Sequence, residues 1–153
     1  MLGFLSHNRQ ARQSAQPPLQ KIVLLFLLLL TLGGCYWLKY GKLMRTHIDL
    51  LLSMADKMGS LLEAERTITP AMMSEFSYPL ERARDFARIV GRRYAERQSL
   101  QAFRQFLDIY AELVHETDRL RVLNGDLSGF HERVAALHKQ ATVVEAALAA
   151  EER

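Results

Sequence analysis

Between Arg82 and Arg104 the chain carries Arg82, Arg84, Arg88, Arg92, Arg93, Arg97 and Arg104, interrupted only by Asp85 and Glu96. Guanidinium groups gathered this closely suit bidentate contacts to oxyanions: a phosphate, a lipid headgroup or an acidic partner. A row of carboxylates, Asp108, Glu112 and Glu116, follows at steps of four. Folding the two segments about Gln98 as a helical hairpin sets Arg88 near Asp108 and Arg84 near Glu112, a salt-bridged seam whose exposed pairs contribute little. Arg92, Arg93 and Arg97 have no acidic counterpart in that register, and they are the candidate contact for an anion or partner.

Glu112-Leu-Val-His115 has the Glu-x-x-His spacing that supplies metal ligands in di-iron bundles. That site needs a second copy and two further glutamates, and the sequence has no second copy. Glu112 and His115 also lie off the apolar stripe described below, so the expectation is a solvated face and no metal site. His131 and His138, one heptad apart, could report acid pH through their charge, although histidines at a bundle margin are usually ordinary polar residues. His7 and His47 suggest nothing more. Gly-x-Ser-x-Gly, a Walker-type loop, His-Glu-x-x-His and Cys-x-x-Cys-His are all missing, so no catalytic residue, cofactor or enzymatic activity has a sequence warrant.

The segment that dominates the first part of the chain is apolar. Ile22 to Leu38 has no charged residue, and Leu19 to Tyr40 is long enough for a spanning helix, which needs about 20 residues. Tyr36, Trp37 and Tyr40 with Lys39 and Lys42 make an aromatic and basic membrane-interface collar. A second reading fits the same residues: Leu32-Gly33-Gly34-Cys35 resembles a bacterial lipobox, which makes Cys35, the single cysteine, a candidate lipidation site. The two expectations are an uncleaved single-pass anchor and a lipid anchor at Cys35. Basic residues flank the segment equally, so charge does not orient it; a short basic tail retained inside favours an extracytoplasmic, periplasmic C-terminal domain.

Beyond the anchor the pattern becomes helical. Ile48, Leu51, Ala55, Met58 and Leu62 recur at steps of three and four, as do Leu80, Ala83, Ala87, Val90 and Tyr94. So do Phe103, Phe106, Tyr110, Leu113, Thr117 and Leu120, and then Phe130, Val134, Leu137, Ala141, Val144 and Leu148. Such steps place one stripe on one helix face. Thr69-Pro70 supplies an N-cap and first-turn proline, Pro79 restarts or kinks the second segment, and Ser99 is a candidate cap for the third. Asn124-Gly125 is a helix stop, with Asp126 or Ser128 to cap the fourth. The expected fold is all-α: a basic tail over 1–18, a membrane anchor over 19–42, and over 43–153 an antiparallel bundle of about four helices. In outline this layout resembles the periplasmic sensor bundles of bacterial chemoreceptors, without the second membrane helix and signalling region, so no family is assigned.

Charge excludes one class of partner. The net charge is +3, yet Arg9, Arg12, Lys21, Lys39 and Lys42 precede Leu43 with no acidic residue, so the remainder is acidic by two charges. The basic character belongs to the membrane end, and nucleic acid is not an expected partner. The expected partners are membrane lipids and a protein of the membrane or envelope. The apolar stripe is satisfied equally by an intramolecular bundle and by a homo-oligomer. The functional expectation is a membrane-anchored scaffold or interaction protein, an accessory subunit of a bacterial envelope complex, with Met54, Met58, Met72 and Met73 as an adaptable surface. The alternative is an extracytoplasmic sensing bundle that holds a ligand near Arg92, Arg93 and Arg97.

Overall fold

The computed structural model describes the backbone of residues 18–64, 67–123 and 125–152, and the side chains in that range from residue 39 onward apart from 123. Four helices follow one another: α1 (Pro18–Glu63), α2 (Pro70–Tyr94), α3 (Gln98–Leu123) and α4 (Ser128–Glu151). No strand occurs among the described residues. The chain divides into two compact units, Met1–Trp37 and Leu38–Arg153, and the second is an all-α four-helix bundle.

Cross-helix contacts define the topology. Tyr40 of α1 meets Tyr94 at the end of α2, while Lys57, further along α1, meets Glu75 near the start of α2, so the two run antiparallel. Ser99 contacts Tyr40 and Thr117 contacts Met58, which makes α3 parallel to α1 across the core. Glu151 contacts Ser99 and Gln140 contacts Ala102, so α4 is antiparallel to α3. Connections this short between helices favour the up-down-up-down arrangement.

The apolar stripes form the core, and one chain supplies all four helices. Met44, Ile48, Leu51, Ala55 and Met58 are buried from α1, Leu80, Ala83 and Ala87 from α2. Phe103, Phe106, Tyr110 and Leu113 come from α3, and Phe130, Leu137, Val144 and Leu148 from α4. Each large side chain removed from water stabilises the fold by roughly 1.5–3 kcal/mol before entropy is counted. Late in α1, Leu61 is more buried than Leu62, because residues three and four beyond Met58 both lie on its face. Phe76 is fully buried ahead of the expected start of the second stripe. Met58 fills the core, whereas Met54, Met72 and Met73 are half-buried.

Local signals account for the helix ends in part. The Thr69 hydroxyl accepts from the Met72 N–H at 3.3 Å with Pro70 opening α2. Helix α2 runs through Pro79, which lacks an N–H and crowds the preceding turn of carbonyls. In that turn the Tyr110 hydroxyl donates to the Phe76 carbonyl at 3.1 Å. Ser99 does not cap α3: it lies inside the helix and its hydroxyl is used elsewhere. At α4 the residue preceding the helix is Leu127, without a side-chain cap, and Asp126 accepts from the Ser128 N–H at 3.1 Å.

Candidate functional site

Where residue 38 enters the bundle, α1, the α2–α3 turn and the last turn of α4 meet around a buried polar junction. The Glu151 carboxylate accepts from the Ser99 N–H at 3.1 Å and from its hydroxyl at 2.7 Å. Because the Ser99 proton is committed to Glu151, the Tyr40 hydroxyl donates to Ser99 Oγ, at 3.0 Å. The Tyr40 ring also packs on Tyr94, with centroids 4.9 Å apart. Tyr40, placed in the interface collar by its sequence neighbourhood, is thus 3% exposed within the bundle. Lys39 and Lys42 are exposed at this end. The side chains of Cys35, Tyr36 and Trp37, like those of the rest of the apolar run before Lys39, lie outside those described. Among the described residues no helix is long and apolar enough to cross a membrane.

Arg92, Arg93 and Arg97 lie at the same end, on the exit of α2. Arg92 is exposed and joins no ion pair among the described residues. The Arg93 guanidinium lies over the Tyr94 ring at 5.8 Å. Arg97 does have an acidic counterpart, Glu151 at 4.0 Å, which the sequence reading missed because it paired α2 only with α3. Arg45 adds a second tie to the end of α4, reaching Glu145 at 2.9 Å and Glu152 at 3.0 Å.

The salt-bridged seam between α2 and α3 is replaced by a different pairing. Arg84 bonds Glu81 and Arg88 bonds Asp85, each one turn back on α2. The cause is helical drift, since a step of four residues overshoots a full turn by about 40°. The row Asp108, Glu112, Glu116 therefore winds around α3 from the α2 side to the α4 side. Asp108 borders the α2/α3 groove, Glu112 approaches Arg133 of α4 at 3.9 Å, and Glu116 is buried in the α3/α4 seam. The hydrogen bond from Arg119 holds the Glu116 carboxyl below its ordinary value, outweighing burial, which pushes it up.

The groove between α2 and α3 is lined by Arg84, Ala87, Arg88, Arg104, Leu107 and Asp108 and measures about 300 Å³. A second cleft of about 350 Å³ lies at the α3–α4 turn around Glu116, Arg119, Asp126 and Arg133. His115 and Glu112 are both exposed, and no cluster of metal-binding side chains occurs among the described residues. His131 and His138 face α1, at 3.8 Å from Glu63 and 3.5 Å from Asp56. His47 is half-buried against Phe86, with ring centroids 5.1 Å apart. Desolvation, with Arg82 nearby, lowers its pKa, a role nothing in its sequence neighbourhood signals.

Among the described residues, four of the six exposed large apolar side chains belong to α1 and α2. Leu43 and Leu50, seven residues apart, bracket His47 on the side of α1 that faces α2. Tyr78 and Ile89, three turns apart, lie on the outward face of α2, opposite the buried Phe76, Leu80, Ala83 and Ala87. Comparison with family models, with curated proteins and with solved structures yields no match to this chain.

Proposed function

We propose that this chain is a membrane-tethered interaction module: an apolar N-terminal segment holds a four-helix bundle at a bilayer, and the bundle contacts a protein of the same membrane or envelope complex. The observation that carries this reading is the α1/α2 flank. Leu43 and Leu50 on α1 and Tyr78 and Ile89 on the outward face of the neighbouring α2 expose between 41% and 64% of their surface, although the bundle buries the apolar stripes that form its core. Exposed apolar side chains gathered on one face are the usual mark of a contact surface. Tethering draws support from the sequence run Leu19 to Tyr40 and from Lys39, Lys42 and Arg92, exposed at the end where residue 38 enters. The bundle acts as a scaffold or accessory subunit and not as an enzyme, and it faces the periplasm under either anchoring mode, spanning helix or lipidated Cys35.

Site-specific photocrosslinking in the native membrane tests the contact. A crosslinker at Leu50 or Ile89 should give a discrete adduct, and one at Val122, which is 67% exposed elsewhere on the bundle, should give none. Equal labelling from all three positions, or none, contradicts the reading. A ligand-binding bundle is the second reading, favoured by the arginine-lined groove between α2 and α3.

A further inference from the structure

Arg84 and Arg88 from α2 and Arg104 from α3 line one groove, floored by Ala87 and Leu107. Arg84 and Arg88 are each steadied by a carboxylate one turn back, in exposed pairs that occupy only part of a guanidinium's five donors. Arg104 joins no ion pair among the described residues. Its place is made by Gly91: a Cβ there would stand 2.6 Å from Arg104 Nη2. A glycine inside a helix weakens it, and here, in the last turn of α2, it lets the Arg104 guanidinium rest against α2 beside the other two. Asp108 is the only carboxylate in the lining.

We propose that this groove is a binding site for a phosphate group, with the three guanidiniums taking its oxygens and the Ala87–Leu107 floor accepting the carbon portion of a monoester. Three guanidiniums favour an oxyanion with several acceptor oxygens, which bidentate contacts recognise best. Asp108 disfavours a second anionic group, so the ligand carries a single phosphate. The source is either a soluble phosphate ester or a phospholipid headgroup. This inference deepens the ligand-binding reading and stands independently of the anchor and of the α1/α2 contact.

The test uses the full chain, in detergent and in lipid nanodiscs. In detergent, inorganic phosphate should raise the unfolding temperature over chloride of equal ionic strength. In nanodiscs, the comparison is phosphatidylcholine with and without phosphatidic acid. Stabilisation by inorganic phosphate supports a soluble ester, and stabilisation by phosphatidic acid alone supports a headgroup. Arg104→Gln should weaken the phosphate response about tenfold. Gly91→Ala should weaken it by less than Arg104→Gln while unfolding in chloride at the same or a higher temperature, because alanine favours the helix while its Cβ shifts the guanidinium without removing its charge. No response to either probe overturns the proposal. So does a phosphate response that both variants retain, since an excluded salt stabilises any fold without a site.

Discussion

The Ser99 hydroxyl donates to Glu151 Oε2 at 2.7 Å, joining the start of α3 to the last turn of α4 across 52 residues of chain. The same hydroxyl accepts from Tyr40, so one small side chain ties three helices at the end where residue 38 enters. Ser99→Ala should lower the stability of the bundle by about 1–3 kcal/mol, since it strips partners from two polar groups at once. Adding Tyr40→Phe to that variant should cost less than Tyr40→Phe alone, with a coupling of roughly 0.5–3 kcal/mol. Urea unfolding of the four proteins measures it, and strictly additive losses would mean that the hydroxyls act separately.

Tyr110 supports the helix that carries Pro79. Its hydroxyl donates to the Phe76 carbonyl, in the turn that the proline ring crowds. Tyr110→Phe keeps the ring and removes the bond, with an expected loss of about 0.5–1.5 kcal/mol in urea unfolding. Burial also raises the Tyr110 pKa above its ordinary value. The folded state therefore favours the neutral phenol: its contribution is fully present below the unfolded value of about 10 and is lost as pH rises above it. Phenolate absorbance from Tyr110, taken as the difference between wild type and Tyr110→Phe, should appear together with loss of helical circular dichroism and not before it.

His47 gives the bundle an acid-sensitive term of opposite sense. Desolvation first, and the Arg82 charge second, lower its pKa in the folded state. A base with a depressed folded pKa contributes stability above its unfolded value of about 6.5, and that contribution fades as pH falls below it toward the folded value. His131 and His138 face Glu63 and Asp56 instead, so the whole-protein profile combines unlike surroundings. The difference between wild type and His47→Gln isolates the term. Wild type should lose more stability than the variant between pH 7 and pH 5, and parallel thermal-unfolding profiles would refute the assignment.

How much of this was legible in the sequence depended on the distance between cause and effect. Helix stripes arise from neighbours three and four residues apart, and Leu51, Ala83, Phe106 and Leu137 are buried as their spacing requires. Tyr40 and Met44 join the core although they adjoin the apolar run, because they precede Ile48 at steps of four on the buried stripe of α1. The Ser99–Glu151 junction joins residues too far apart for any periodic signal. The carboxylate row misled because steps of four were read as a straight line, and Glu116 ended on the far side of α3 from the arginines.

Membrane tethering is the claim on which the proposed function depends most. The most direct test is the intact mass of the protein recovered from its native membrane after alkaline carbonate extraction. The expected result is a chain retained in the pellet, with the mass of all 153 residues or of residues 35–153 carrying acyl groups at Cys35. Release into the carbonate supernatant as a chain lacking both the apolar run and acyl groups would contradict it.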